Sequence, residues 1–167
     1  MTEILVTKSE YFDKIDKIIS QDCDVKIATY NIYTGVTTDG RYVNNWGGGQ
    51  FENRVGHLLD NLTNISSSTT IKIGKPFFGE CALMHDSQCS MMDKENNWES
   101  RLRHTKRRWH KIDFKLIENS HIKLVLVSPD HCLYGGRNFA DSDNLDLSWY
   151  EQDLAQYKKL VKIFNVL

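Results

Sequence analysis

Apolar residues recur along this chain at two periods, and the alternation between them predicts the architecture. From Tyr11 to Ile19 the spacing of Phe12, Ile15, Ile18 and Ile19 puts one apolar stripe on a helix. Val25 to Ile32 is a β-rich run that reads as a strand. Thr34 to Gly49 reads as a loop ending in Trp46-Gly47-Gly48-Gly49, and this Gly cluster matches no phosphate-loop spacing. Phe51 to Leu62 carries Val55, Leu58, Leu59 and Leu62 at helical spacing, and Thr70 to Gly74 reads as the next strand. Strand, helix, strand in that order predicts a right-handed crossover and a parallel pair. Residues 77–100 are expected to form an excursion with some helix. Beyond it, Ile112–Ile117, His121–Val127, His131–Tyr134 and Leu145–Tyr150 read as four strands. Leu154, Tyr157, Leu160, Val161, Phe164 and Leu167 then mark an amphipathic closing helix. The expected fold is α/β, a mixed β-sheet flanked by helices, built as one domain over residues 1–167 with no internal repeat.

Composition narrows the function classes. A chain of 167 residues with 40% hydrophobic and 26% charged residues is neither fibrous nor low-complexity. No apolar run approaches the roughly 18–20 residues that span a bilayer, so no membrane partner is expected. The opening MTEILVTKSE lacks the basic, apolar, small-residue order of an export signal, and the expected location is the cytoplasm. In that setting Cys23, Cys81, Cys89 and Cys132 read as thiols. A net charge of −1 argues against a general polyanion binder but leaves room for a local patch.

Candidate chemistry concentrates in the C-terminal third. On a strand, His121 and Lys123 share one face while Ile122, Leu124 and Leu126 take the core side. An imidazole and an ammonium side by side on a half-buried strand call for an anion. Ser128-Pro129-Asp130-His131 suits a type I turn, and with Pro129 and Asp130 as its central residues the returning strand sets Asn138 across from His121. Gly135 and Gly136 would let a ligand come close to the backbone. His, Lys and Asn at one sheet end make a phosphate site whose donors are complete without a metal or another cofactor.

The segment His121 to Asn138 resembles the phospholipase D superfamily motif, H-x-K-x(4)-D-x(6)-G-G/S-x-N, with His121, Lys123, Gly135, Gly136 and Asn138 in register. Val25–Ile32 is similar to the family's early strand, and Asn144-Leu145-Asp146 with the following strand and helix is similar to its N-x-E ending. Two positions depart: Ser128 stands where the motif has Asp, and Asp146 where the family usually has Glu. Position 128 lies seven strand residues from His121, about 23 Å at ~3.3 Å per residue, and tyrosyl-DNA phosphodiesterases and some metal-independent restriction endonucleases also lack this Asp. The resemblance implies that His121 attacks phosphorus, a second His serves as acid and base, Lys123 and Asn138 hold the phosphoryl oxygens, and Asp146 orients an imidazole. His104-Thr105-Lys106 repeats only the tripeptide, because Glu118, Asn119 and His121 stand where the two Gly and the Asn belong. One complete motif therefore implies a homodimer with a shared site.

Arg101 to Lys111 holds six Lys or Arg and no acid. Arg103, Lys106, Arg107, Arg108 and Trp109 are candidate substrate contacts, the Trp as a stacking face, with Arg137 as a further phosphate contact. The expected substrate is nucleic acid, DNA before RNA, and the expected activity is that of a metal-independent endonuclease. Two other classes stay open: a catalytically silent module that binds nucleic acid or a protein, and a lipid or small-molecule phosphodiesterase. Cys81, His85 and Cys89, with His110 or Cys132, form a rival zinc set whose spacing matches no familiar finger.

Overall fold

The computed structural model describes residues 2–30, 32, 34–37, 39–46, 51–74, 98–117, 120–136, 139 and 146–167. Chain order is β1 (Thr2–Leu5), α1 (Lys8–Ile18), β2 (Asp24–Thr29), β3 (Asn45–Trp46), β4 (Phe51–Glu52), α2 (Arg54–Ile65), β5 (Ser68–Ile73), α3 (Trp98–Arg108), β6 (Ile112–Leu116), β7 (Leu124–Val127), β8 (His131–Gly135), β9 (Ser148–Gln152) and α4 (Leu154–Val166). Seven strands make one sheet in the order β1-β9-β8-β7-β2-β5-β6, and β3 with β4 forms a separate ribbon. β2, β5 and β6 run parallel to their neighbours in that trio, while β1, β9, β8, β7 and β2 pair antiparallel. The mixed sheet and the parallel β2–β5 pair are as the hydrophobic pattern predicts.

Burial divides by strand face. Val25, Ile27, Val125, Val127 and Leu133 join Phe12, Ile15, Val55, Leu58, Leu59, Leu62, Leu102 and Trp109 in the larger core, so α1, α2 and α3 cover one face. Ala28, Leu124, Leu126 and Cys132 meet Phe164 of α4 on the other. All four residues of β7 are buried, as expected of a strand covered on both sides. Burial raises the Cys132 thiol to about 12, which keeps it protonated and unreactive.

Local signals set the helix starts. Thr7 caps α1, and the Glu10 carboxylate accepts from the Thr7 and Val6 N–H groups at 2.9 and 2.8 Å. Those bonds, Thr7's first, hold the Glu10 carboxyl below its ordinary value. Asn53 caps α2 by accepting from Gly56 N–H at 2.8 Å, and its amide donates to the Thr34 and Val43 carbonyls. This cap starts the helix at Arg54, three residues later than the pattern predicts, and leaves Phe51–Glu52 to pair with Asn45–Trp46. The stretch from Thr34 is therefore partly ordered, with a bridge between Val36 and Tyr42, whereas Gly47, Gly48 and Gly49 lie outside the described residues. The sequence pattern missed β1, where only Leu5 is buried and no alternation shows.

The hairpin register corrects a second expectation. Val127 pairs with His131 and Leu124 with Tyr134, so three residues make the reversal and the register differs by one from that of a two-residue turn. Ser128 is committed elsewhere: its N–H donates to the Asp24 carbonyl at 2.9 Å, and its hydroxyl accepts from Asp24 N–H at 2.8 Å. It extends the β2–β7 ladder by one pair while opening the turn.

Candidate active site at one end of the sheet

Pairing brings the chain's candidate groups to a single end of the sheet. Leu5 sits beside Ser148, Ser148 beside Gly135, Tyr134 beside Leu124, Leu124 beside Ala28, and Thr29 beside Ile73. The residues that follow or precede these pairs are Asp146, Gly136, Lys123, His121, Tyr30 and Gly74. His121 and Lys123 precede β7 rather than belonging to it, so the strand is shorter than predicted. The Gly135 N–H reaches the Lys123 carbonyl at 3.4 Å and pins this approach. Ile122, expected in the core, is 38% exposed, because the ladder that would bury it ends at Leu124.

His121 is exposed, and its ring lies flat against Tyr30, with centroids 4.1 Å apart and planes 17° from parallel. Lys123 is half-buried. Asp146 is half-buried and donates its N–H to the Val6 carbonyl at 3.3 Å. The two glycines play a different part from the one expected. Gly135 has φ +140°, and a Cβ there would stand 2.5 Å from the Leu147 carbonyl oxygen. The Gly136 N–H donates to that same carbonyl at 2.8 Å, and a Cβ on Gly136 would meet the Asp146 carboxylate at 3.2 Å. What approaches the glycine backbone is the chain's own return into β9, and this return carries Asp146 up to the motif.

Phe139, one residue past the motif, is buried against Tyr11 and Phe12. Its N–H donates to the Thr29 hydroxyl at 3.1 Å, anchoring the end of the motif to β2. Arg137, Asn138 and Asn144 lie outside the described residues, as do Cys81, His85 and Cys89 of the zinc alternative. No group of three or more His, Cys, Asp or Glu suited to a metal occurs among the described residues.

The basic segment forms α3, and the helix sorts its residues by face. Arg103, Lys106 and Arg107 are exposed. Arg108 lies 3.7 Å over the Tyr42 ring and 3.9 Å from Asp60, which gives it structural work. Trp109 contradicts its expected role. It is 1% exposed, edge-on to Tyr42, and donates its indole N–H to Asp60 at 2.7 Å, so no face is open for a base. Leu102, Thr105 and Trp109 stand at helical spacing, and the helix turns that stripe inward. His104 and Lys106 diverge on the helix, and His104 packs against the Gly40 turn. Beside the exposed stripe, a groove of about 360 Å³ is lined by Glu99, Leu102, Arg103, Lys106 and Leu116. Leu116 closes β6 at the same sheet end as the site, three strands from β7, or about 14 Å at ~4.8 Å per strand.

No family model matches the chain, and no curated protein does. Solved structures do. Nuc from Salmonella typhimurium, a phospholipase D family member, aligns with a TM-score of 0.57 at 10% identity over 99% of this chain and 93% of its own. Polyphosphate kinase from Porphyromonas gingivalis aligns with a TM-score of 0.56 at 11% identity, over 99% of this chain and 23% of its own. TrmBL2, an archaeal chromatin protein with a novel mode of DNA binding, aligns at 0.50 and 9% identity over 99% of this chain. The chain thus spans about half of TrmBL2 and about a quarter of the kinase. At these identities the likeness is one of fold. This chain has a phospholipase D-like α/β fold.

Proposed function

We propose that the chain is a phosphodiesterase of the nuclease type, cutting nucleic acid through a covalent phosphohistidine on His121 without a metal. The observation that carries the reading is the meeting of His121 and Lys123 with Gly136 and Asp146 at one sheet end, in a fold shared with Nuc. The imidazole nitrogen of His121 attacks phosphorus, and the P–O bond to the leaving oxygen breaks. That oxygen takes a proton from a second imidazole. The same imidazole then removes a proton from water, whose oxygen displaces His121 and leaves a phosphomonoester and an alcohol. Lys123 and Asn138 hold the equatorial oxygens, and Asp146 orients an imidazole. Its short side chain suffices where the β9 return brings it against Gly136.

The second imidazole is that of the same His in another copy, so the working unit is a homodimer with one site across its axis. Ser128 replaces the motif's Asp at a position that caps β2 at the far end of β7, and activity does not depend on it. The substrate is DNA in preference to RNA. Arg103, Lys106 and Arg107 form a stripe that leads to the groove at Leu116, and Arg137 adds a contact inside the motif. The protein works in the cytoplasm, and no helix among the described residues is long and apolar enough to cross a membrane.

The test is cleavage of single-stranded DNA, double-stranded DNA and RNA in excess EDTA, by wild type and His121→Ala. Cutting that survives EDTA and vanishes in the variant supports the reading. A folded dimer that binds DNA and cuts none of the three substrates points instead to a silent binding module working through α3.

A further inference from the structure

We infer that Tyr30 is a positioning residue for His121, holding the imidazole in the orientation from which it attacks. The inference rests on the phosphodiesterase reading of the site and extends it to a residue outside the motif. Tyr30 directly follows β2 and is half-buried, and its ring lies 4.1 Å from the exposed His121 ring at 17°. An exposed imidazole left to itself visits several χ1 wells, whereas displacement at phosphorus needs a nitrogen fixed at near-attack distance and direction. A stacking partner suits that need. It fixes the plane of the ring through its face and leaves both nitrogens free at the edge, one for phosphorus and one for an orienting carboxylate. A hydrogen-bonding partner would occupy one of those nitrogens.

The seat of the stack is built from two strands and the segment that leads into β7. Gly74, at the end of β5, donates its N–H to the Thr29 carbonyl at 2.9 Å, which fixes the backbone just before Tyr30. A Cβ on Gly74 would stand 3.2 Å from the Tyr30 ring and 2.2 Å from the Ser120 carbonyl oxygen, so the bare glycine admits both the ring and the chain that delivers His121. Thr29 is held in turn by Phe139 N–H on its hydroxyl. The stack is therefore fixed on the Tyr side by β2 and β5 and on the His side by the close passage of residue 120.

The experiment compares Tyr30→Phe, Tyr30→Leu and Tyr30→Ala with wild type in the full chain. One readout is kcat and KM on a chromogenic phosphodiester. The other is the proton NMR position of the His121 ring, assigned with His121→Ala. Loss of the stack should lower kcat about tenfold in the Ala and Leu variants, with KM within about threefold, and should remove an upfield ring-current shift from His121. Tyr30→Phe should keep the shift and stay within about twofold of wild-type kcat. Tyr30→Leu preserves apolar bulk, so its loss of rate at an unchanged thermal midpoint separates positioning from a folding defect.

Unchanged kcat in Tyr30→Ala from an active wild type overturns the inference alone. So does a rise confined to KM, which would make Tyr30 a substrate contact, or an equal loss in Tyr30→Phe, which would assign the effect to the hydroxyl. A His121 shift that ignores Tyr30 also overturns it. A wild type that turns over neither this diester nor nucleic acid defeats the site reading itself and this inference with it.

Discussion

The two ends of the β7–β8 hairpin are made of similar residues put to opposite uses. At the turn end, Ser128, Asp130 and His131 are tied into the sheet. Ser128 bonds Asp24 twice, His131 Nδ1 lies 2.9 Å from the Tyr150 hydroxyl, and Asp130 accepts from the Gln152 amide. At the open end, His121 has only the face of Tyr30 among its described contacts, and Lys123 reaches its neighbours through its backbone. One end uses its polar groups on the protein's own backbone and rings. At the other, the imidazole nitrogens and the ammonium have no side-chain partner among the described residues. A His pinned through its nitrogen serves the fold, and under the proposed function the His held by its face is the one that reacts.

The comparison can be broken by substitution, and the effects fall in a definite order. His121→Ala should abolish cleavage, by about a thousandfold or more, with a thermal midpoint close to wild type. A large loss of stability there would erase the distinction between the two ends. Trp109→Ala should act the other way, costing about 3–5 kcal/mol in urea unfolding because a buried ring and its bond to Asp60 are lost. If that variant were stable and only DNA binding fell, Trp109 would be the stacking face its burial denies.

Ser128→Ala should cost about 1 kcal/mol by removing the acceptor for Asp24 N–H, and leave kcat within about twofold. A collapse of kcat instead would return position 128 to the mechanism. The smallest effect concerns acid. The Ser68 hydroxyl, and after it Ser67's, holds the Asp24 carboxyl below its ordinary value. A lowered folded pKa adds stability that is present above the unfolded value near 3.9 and lost as pH falls through the folded one. The denaturation midpoint of Asp24→Asn should therefore change less between about pH 5 and pH 2 than that of wild type.

Much of this was legible before any coordinates. The strand, helix, strand order from Val25 to Gly74 announces the parallel pair, and the H-x-K to G-G spacing carries the resemblance on which the proposed site rests, because both signals lie within short segments. What failed depends on which surface a segment meets. Trp109 reads as a stacking face while it is seen only beside six cations, yet its spacing from Leu102 and Thr105 already marks the inward stripe. The glycines read as room for a ligand because the return of residues 146–148 onto them joins segments remote from the motif. Tyr30 and Phe139 escaped for the same reason, since their partners lie 91 and 110 positions away in the chain. The register slipped by one because Ser128 answers to β2, a strand that a hairpin rule never consults.

The central claim is that His121 becomes bonded to phosphorus during turnover. The direct measurement is to mix the protein with a DNA oligonucleotide, quench in alkali within the first turnover, and map phosphoramidate adducts by mass spectrometry. The account predicts an adduct on the peptide containing His121, acid-labile and absent from His121→Ala. Cleavage with no adduct there, or with one on another residue, would contradict it.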